Sequence, residues 1–168
     1  DSNDTIWITS PLTGEVMRFD PNAGTFILKI HPSEQNAQPF AISSDPVSNL
    51  IWFTDEAGKL GKIDPSNNYS ITEYSPNGNK PLSSPTALLI DKTTGEVYVS
   101  QHDGHRVTVF DPLTKTFTDL PMINEAGLPF GMAIDKYGNL WVAEHTINKL
   151  AVIDTQKSKI REVPVKAP

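Results

Sequence analysis

The sequence predicts an all-β chain built from about four copies of one four-stranded antiparallel unit, and three sets of recurring residues predict it. The aromatic side chains Trp7, Trp52, Tyr98 and Trp141 follow one another at intervals of 45, 46 and 43 residues. Aspartates in Phe19-Asp20-Pro21, Ile63-Asp64-Pro65, Phe110-Asp111-Pro112 and Ile153-Asp154-Thr155 recur at 44, 47 and 43. A third landmark, Pro39-Phe40-Ala41-Ile42, Pro85-Thr86-Ala87-Leu88 and Pro129-Phe130-Gly131-Met132, recurs at 46 and 44. Three landmarks in one phase mark an internal repeat, and a repeat of this length decides the fold.

The last copy shows the unit in order. Its strand-like runs lie near residues 130–135, 139–144, 148–153 and 159–164, each rich in Val, Ile, Leu or aromatics. The first turn reads Asp135-Lys136-Tyr137-Gly138-Asn139, and the preceding copy reads Asp91-Lys92-Thr93-Thr94-Gly95; glycine there supplies the positive φ of a tight hairpin. The third turn is Asp-Pro in three copies, where proline presets φ and the aspartate holds a backbone amide. Charge spacing over 148–163 also suits a helix, but β-branched residues and the match to three other copies favour strands.

Four short strands in roughly 40–45 residues are the signature of a β-propeller blade. The expected blades span about 1–35, 36–80, 81–124 and 125–168 of one propeller segment. The first strand of each should line the central channel, and the aromatic anchors should pack blade against blade. Trp7 stands too near the start for an inner strand to precede it, and Pro168 falls in phase with Pro39, Pro85 and Pro129. The expectation is an open arc, covered at its free edge by the remaining blades of the same protein or by another chain.

Composition narrows the function classes. Fourteen Lys+Arg stand against 20 Asp+Glu, a formal charge of -6 that disfavours contact with nucleic-acid phosphates. There is no cysteine, which removes disulfides, thiolate metal sites and cysteine nucleophiles. No run approaches the roughly 18 apolar residues of a membrane span, and no basic-then-apolar leader opens the chain. Asn3-Asp4-Thr5 and Asn68-Tyr69-Ser70 are glycosylation triplets. The absence of cysteine, the 14 prolines and the acidic surface fit an extracytoplasmic or secreted protein.

Candidate site residues emerge from the same phase. Three positions after each anchor stand Ser10, Asp55, Gln101 and Glu144, and four after stand Pro11, Glu56, His102 and His145. Placed on loops of one propeller face, Asp55, Glu56, His102, Asp103, Glu144 and His145 form a candidate ligand-binding set. Their O and N atoms suit a divalent cation if neighbouring loops come close enough; otherwise they are ordinary polar loops. His31 and His105 read as surface residues, Lys157-Ser158-Lys159-Ile160-Arg161 as a solvated hairpin, and no Gly-x-Ser-x-Gly surrounds Ser43-Ser44 or Ser83-Ser84.

Trp52-Phe53-Thr54-Asp55, running through Gly58-Lys59-Leu60-Gly61-Lys62-Ile63-Asp64, resembles the repeat of the virginiamycin B lyase (streptogramin lyase) family. Ile71-Thr72-Glu73-Tyr74 resembles that family's outer strand, and Glu144-His145-Thr146-Ile147-Asn148-Lys149-Leu150 repeats the theme. NHL-type and gluconolactonase-like propellers share much of this wording. The resemblance implies a Mg-dependent elimination, with a histidine after the inner-strand proline as the base. Phe40, Thr86 and Phe130 occupy the matching positions here, so no catalytic residue carries over.

Two functions therefore stand open. One is a non-catalytic binding or scaffold part of a larger protein or assembly, with a protein, glycan or small molecule as ligand. The other is a metal-dependent C–O lyase or lactonase whose catalytic residues lie partly outside this segment.

Overall fold

The computed structural model describes residues 1, 3–32, 36–76, 80–155 and 159–165. Pro168 and the Lys157-Ser158 part of the expected hairpin lie outside the described residues. Among the described residues, fifteen strands form four antiparallel sheets, and the one helical element is a 3₁₀ turn at Glu125–Gly127. Blade 1 contains β1 (Ile6–Ser10), β2 (Glu15–Asp20) and β3 (Thr25–Ile30), and blade 2 contains β4 (Pro39–Ser44), β5 (Ile51–Asp55), β6 (Lys59–Asp64) and β7 (Ser70–Tyr74). Blade 3 runs β8 (Pro85–Ile90), β9 (Val97–Gln101), β10 (Arg106–Asp111) and β11 (Thr116–Pro121), and blade 4 runs β12 (Pro129–Ile134), β13 (Asn139–Glu144), β14 (Lys149–Asp154) and β15 (Lys159–Pro164). Each sheet is a simple meander in sequence order, and the first has three strands.

The turns are held where the sequence places its aspartates. Asp45, Asp91 and Asp135 close the first hairpin of their blades: their N–H groups donate to Leu50, Glu96 and Asn139 O, and their carbonyls accept from Asn49, Gly95 and Gly138 N. Asp1 occupies the same position in blade 1: its carboxylate accepts from the amides of Asn3 and Thr5 and from the Trp7 indole, as Asp135 accepts from Trp141. The described chain therefore begins at the first turn of blade 1.

Left-handed backbone recurs in phase, at Asp4, Asn49, Gly95 and Gly138 in the first turns and at Gly14, Gly58, His105 and Asn148 in the second. Glycine is required only where space is short. A Cβ on Gly58 would lie 2.2 Å from Pro81 Cβ, because the connection to the next blade packs onto that turn.

The anchors point one way. In blades 1 to 3, the face turned toward the next blade carries the anchor, and it packs on the rear face of that blade. Trp52 and Leu60 meet Val97, Val99 and Phe110 of blade 3, with Trp52 and Phe110 ring centroids 5.7 Å apart. Tyr98 and Val107 meet Leu140, Val142, Ala151 and Ile153 of blade 4. Trp7 sits beside the cluster that joins Val16 to Ile51, Phe53 and Ile63. Burying such side chains contributes about 1.5–3 kcal/mol each. Trp141 departs from the expectation: it lies half-buried on the forward face of blade 4, away from blade 3, and packs under Arg161, whose Cζ is 5.8 Å from the ring centroid. The rear face of blade 1 is likewise open, with Ile6 50% and Phe26 47% exposed.

A hydroxyl stitches the inner strands. β4, β8 and β12 each bulge just after their proline. Thr54 Oγ1 accepts from the displaced Ala41 amide and donates to Pro85 O of the next blade, both at 3.0 Å. Ser100 accepts from Ala87 N in the same way, and Thr9 donates to Phe40 O across the first joint. Ala143 holds the equivalent place in blade 4 and has no hydroxyl to offer.

Candidate functional site

The face where second strands turn into third strands is also the face of the blade-to-blade connections. Backbone bonds Glu56 N to Gln38 O, Leu82 N to Gly58 O and His102 N to Ser84 O dock each connection onto the neighbouring turn. Of the six sequence-predicted residues, Asp55 and Glu144 end strands, His102, Asp103 and His145 come together, and Glu56 stands apart.

Asp55, Gln101 and Glu144 belong to the strands rather than to the loops, and their side chains are buried. The last residue of each second strand points back beneath the connection that leads into its own blade. Asp55 Oδ1 accepts from Gln38 N at 3.0 Å and Ala57 N at 2.8 Å. Gln101 Oε1 accepts from Ser83 N at 2.7 Å, while its amide donates to Thr108. These are latches holding the entry to the inner strand. Glu144 occupies the third latch position, but neither of its carboxylate oxygens has a hydrogen-bond partner. Burial, and then the charge of Glu162, push its carboxyl above the ordinary value. A Cβ on Gly127 would lie 2.4 Å from Glu144 Oε1, so the glycine makes room for this carboxyl.

His102, Asp103 and His145 do come together. His102 Nδ1 lies 2.6 Å from Asp103 Oδ1, and Ser84 Oγ donates to Asp103 Oδ2 at 2.6 Å. The Ser84 hydroxyl, followed by His102, holds the Asp103 carboxyl below its ordinary range. His145 Nδ1 meets Leu128 O at 3.2 Å; a carbonyl only accepts, so Nδ1 is the donor. The two imidazole centroids are 5.2 Å apart, and Phe130 lies 5.7 Å from His145. Phe130 and Phe40 are exposed on the inner strands, at 45% and 39%. His102 and His145 stand on turns of this face, and Leu128, directly before Phe130, has αL backbone that no residue signal in the sequence announces.

Glu56 is exposed in blade 2 and joins no such group. Among the described residues, no three His, Asp or Glu side chains gather where they could share one ion. Both oxygens of the buried Glu144 carboxylate lack a hydrogen-bond partner, but one carboxylate does not make a magnesium site. The donor set among the described residues does not fit the ion. His31 stays exposed beside Glu15, at 3.8 Å, whereas His105 is only half-exposed and its Nδ1 is buried without a partner.

No protein family and no curated protein sequence matches the chain. Solved structures do. Virginiamycin B lyase from Staphylococcus aureus superimposes with a TM-score of 0.84 at 20% identity, over 99% of this chain and 54% of that one. A streptogramin B lyase structure gives 0.86 at 21% identity, over 100% of this chain and 53% of that one. The fold is that of a virginiamycin B lyase-like propeller. An extracellular domain from B. thetaiotaomicron shares it less closely, with a TM-score of 0.70 at 17% identity over 24% of its length. The chain thus spans about half the length of the lyase structures it resembles. No helix among the described residues is long and apolar enough to cross a membrane.

Proposed function

We propose that this chain is a non-catalytic binding segment of a larger extracytoplasmic propeller, taking its ligand on the loop face against His102, His145 and Phe130. One observation carries the reading: the inner-strand positions that a lyase of this kind would give to its base hold Phe40, Thr86 and Phe130. Two phenyl groups and a weakly basic hydroxyl cannot take a proton beside an ester at neutral pH. What the site does offer is a phenyl wall and two imidazoles in fixed orientations, which suits a ligand with an apolar body and a hydrogen-bonding group. The remaining blades, in the same protein or another chain, would cover the rear face of blade 1 and the forward face of blade 4.

A second reading has its own observation in the Asp103–His102 pair, which orients an imidazole as a general base is oriented. On that reading the segment supplies part of a lyase or lactonase site and other blades supply the rest. Incubation with magnesium and a type B streptogramin, followed by mass spectrometry of ring opening, separates the two. The binding reading expects no turnover from these 168 residues. Turnover abolished by His102→Ala or His145→Ala would overturn it and move the active site to the loop face. Turnover seen only with a longer protein would establish the divided site.

A further inference from the structure

The opposite face of the propeller, where the Asp-containing hairpins lie, has a groove of about 680 Å³ between blades 3 and 4. Its origin is a single repeat position. Directly across from each aromatic anchor on the neighbouring strand stand Arg18, Lys62 and Val109, paired in register with Trp7, Trp52 and Tyr98. In the joint between blades 1 and 2 the long side chain fills the space. Arg18 is 8% exposed and lies 3.4 Å from the Asp1 carboxylate. It donates to Thr5 at 2.7 Å and to the Tyr69 hydroxyl at 2.8 Å, and its guanidinium sits 5.8 Å from the Trp7 ring centroid. In the joint between blades 3 and 4, valine reaches none of these places, and the space stays open.

The partners of the missing cation are nevertheless present. Asp91 occupies the turn position of Asp1, Glu96 that of Thr5, and Tyr98 that of Trp7; all three line the groove, over a floor that includes Val109 and Leu120. Glu96 accepts from the Tyr98 hydroxyl at 3.0 Å, and burial with this carboxylate raises the phenol above its ordinary range. Asp111 and Asp135 also line the groove, with their carboxylates held by Leu113 and Thr114 and by Tyr137, Asn139 and Trp141. Lys136, the cation among the lining residues, is turned onto the Tyr137 ring, with its Nζ 5.0 Å from the centroid. Among the described residues, no ion pair reaches Asp91, Glu96, Asp111 or Asp135.

We infer that this groove is a docking site for an arginine side chain of a partner protein or peptide, which supplies from outside the guanidinium that Arg18 supplies within joint 1–2. An apolar floor for the methylene stem, the exposed Tyr137 ring for the planar cation and the Asp91 and Glu96 carboxylates match that side chain's chemistry. The site is separate from the His102–His145 face and stands independently of it.

The test uses the chain and N-acetyl-arginine methylamide, followed by amide chemical shifts, with the norleucine counterpart as an uncharged control. Arginine should shift residues around Asp91, Glu96, Tyr98 and Tyr137, and norleucine should not. Val109→Arg places the cation in cis; it should weaken binding at least tenfold and raise the thermal midpoint. Should that variant fail to fold, Asp91→Asn and Glu96→Gln, which keep the turn's shape, should each weaken binding at least threefold. Equal binding to Val109→Arg, an equal response to norleucine, or shifts spread over the acidic surface would overturn the proposal.

Discussion

Single residues decide where this chain deviates from its own repeat. The latch position reads Asp55, Gln101 and Glu144, and in sequence the three look interchangeable as polar loop residues. Two find backbone amides to accept from; the third is buried with nothing to accept from. Its raised carboxyl fixes a pH sign. The folded state holds the proton more tightly than the unfolded chain, so the neutral form's contribution is complete below the unfolded value of 4.5. That contribution is lost as pH rises through the higher folded value. Glu144→Gln, neutral at every pH, should therefore unfold at a higher temperature than the parent at pH 7 and at nearly the same temperature at pH 4. A midpoint gap that does not change between these pH values, measured by circular dichroism, would contradict this account.

At the scale of strands, most of the architecture was legible before any coordinates. The turn residues Asp135, Gly138 and Asp154 fixed strand boundaries in the last blade to within a residue, because turn chemistry and β-branched runs agree there. The inner-strand bulges and the hydroxyls that stitch them were not legible. Thr54 and Ser100 read as ordinary strand residues, and only the register shift after Pro39 and Pro85 reveals that each serves a displaced amide. Nor could the loop-face cluster be assembled from spacing, since it depends on how neighbouring blades turn toward one another. Thr54→Val keeps the shape and removes the hydroxyl, leaving the buried Ala41 amide and Pro85 carbonyl without it. The expected cost is about 1–3 kcal/mol, read as a lower urea midpoint with an unchanged slope.

For the molecule as a whole, the rear face of blade 1 repeats the surface that blade 3 offers to Trp52. Ile6, Phe19 and Phe26 on blade 1 repeat position for position the Val97, Phe110 and Phe117 that receive Trp52; Phe19 and Phe26 already touch, at 5.3 Å. Blade 4 presents Trp141, the residue such a surface receives. Exposed apolar faces of this kind drive association. Sedimentation of the isolated chain should show concentration-dependent oligomers, and Phe26→Asp should shift the population toward monomer while barely changing the unfolding midpoint. A chain that stays monomeric at high concentration would mean that the two faces do not recognise each other.

The left-handed turns described above have a practical consequence for improving the protein. Lys115 at φ 58° and Asn148 at φ 52° stand where other blades use glycine, at Gly24 and at Gly14 and Gly58. A side chain there carries a standing conformational cost, about 1 kcal/mol for an ordinary L-residue and less for asparagine. Lys115→Gly should thus thermostabilise the chain by a few degrees, and Asn148→Gly by less, as differential scanning calorimetry would register. The blades that already hold glycine have no such reserve. Headroom for engineering is therefore distributed unevenly around the arc, and it can be located by counting in steps of one repeat.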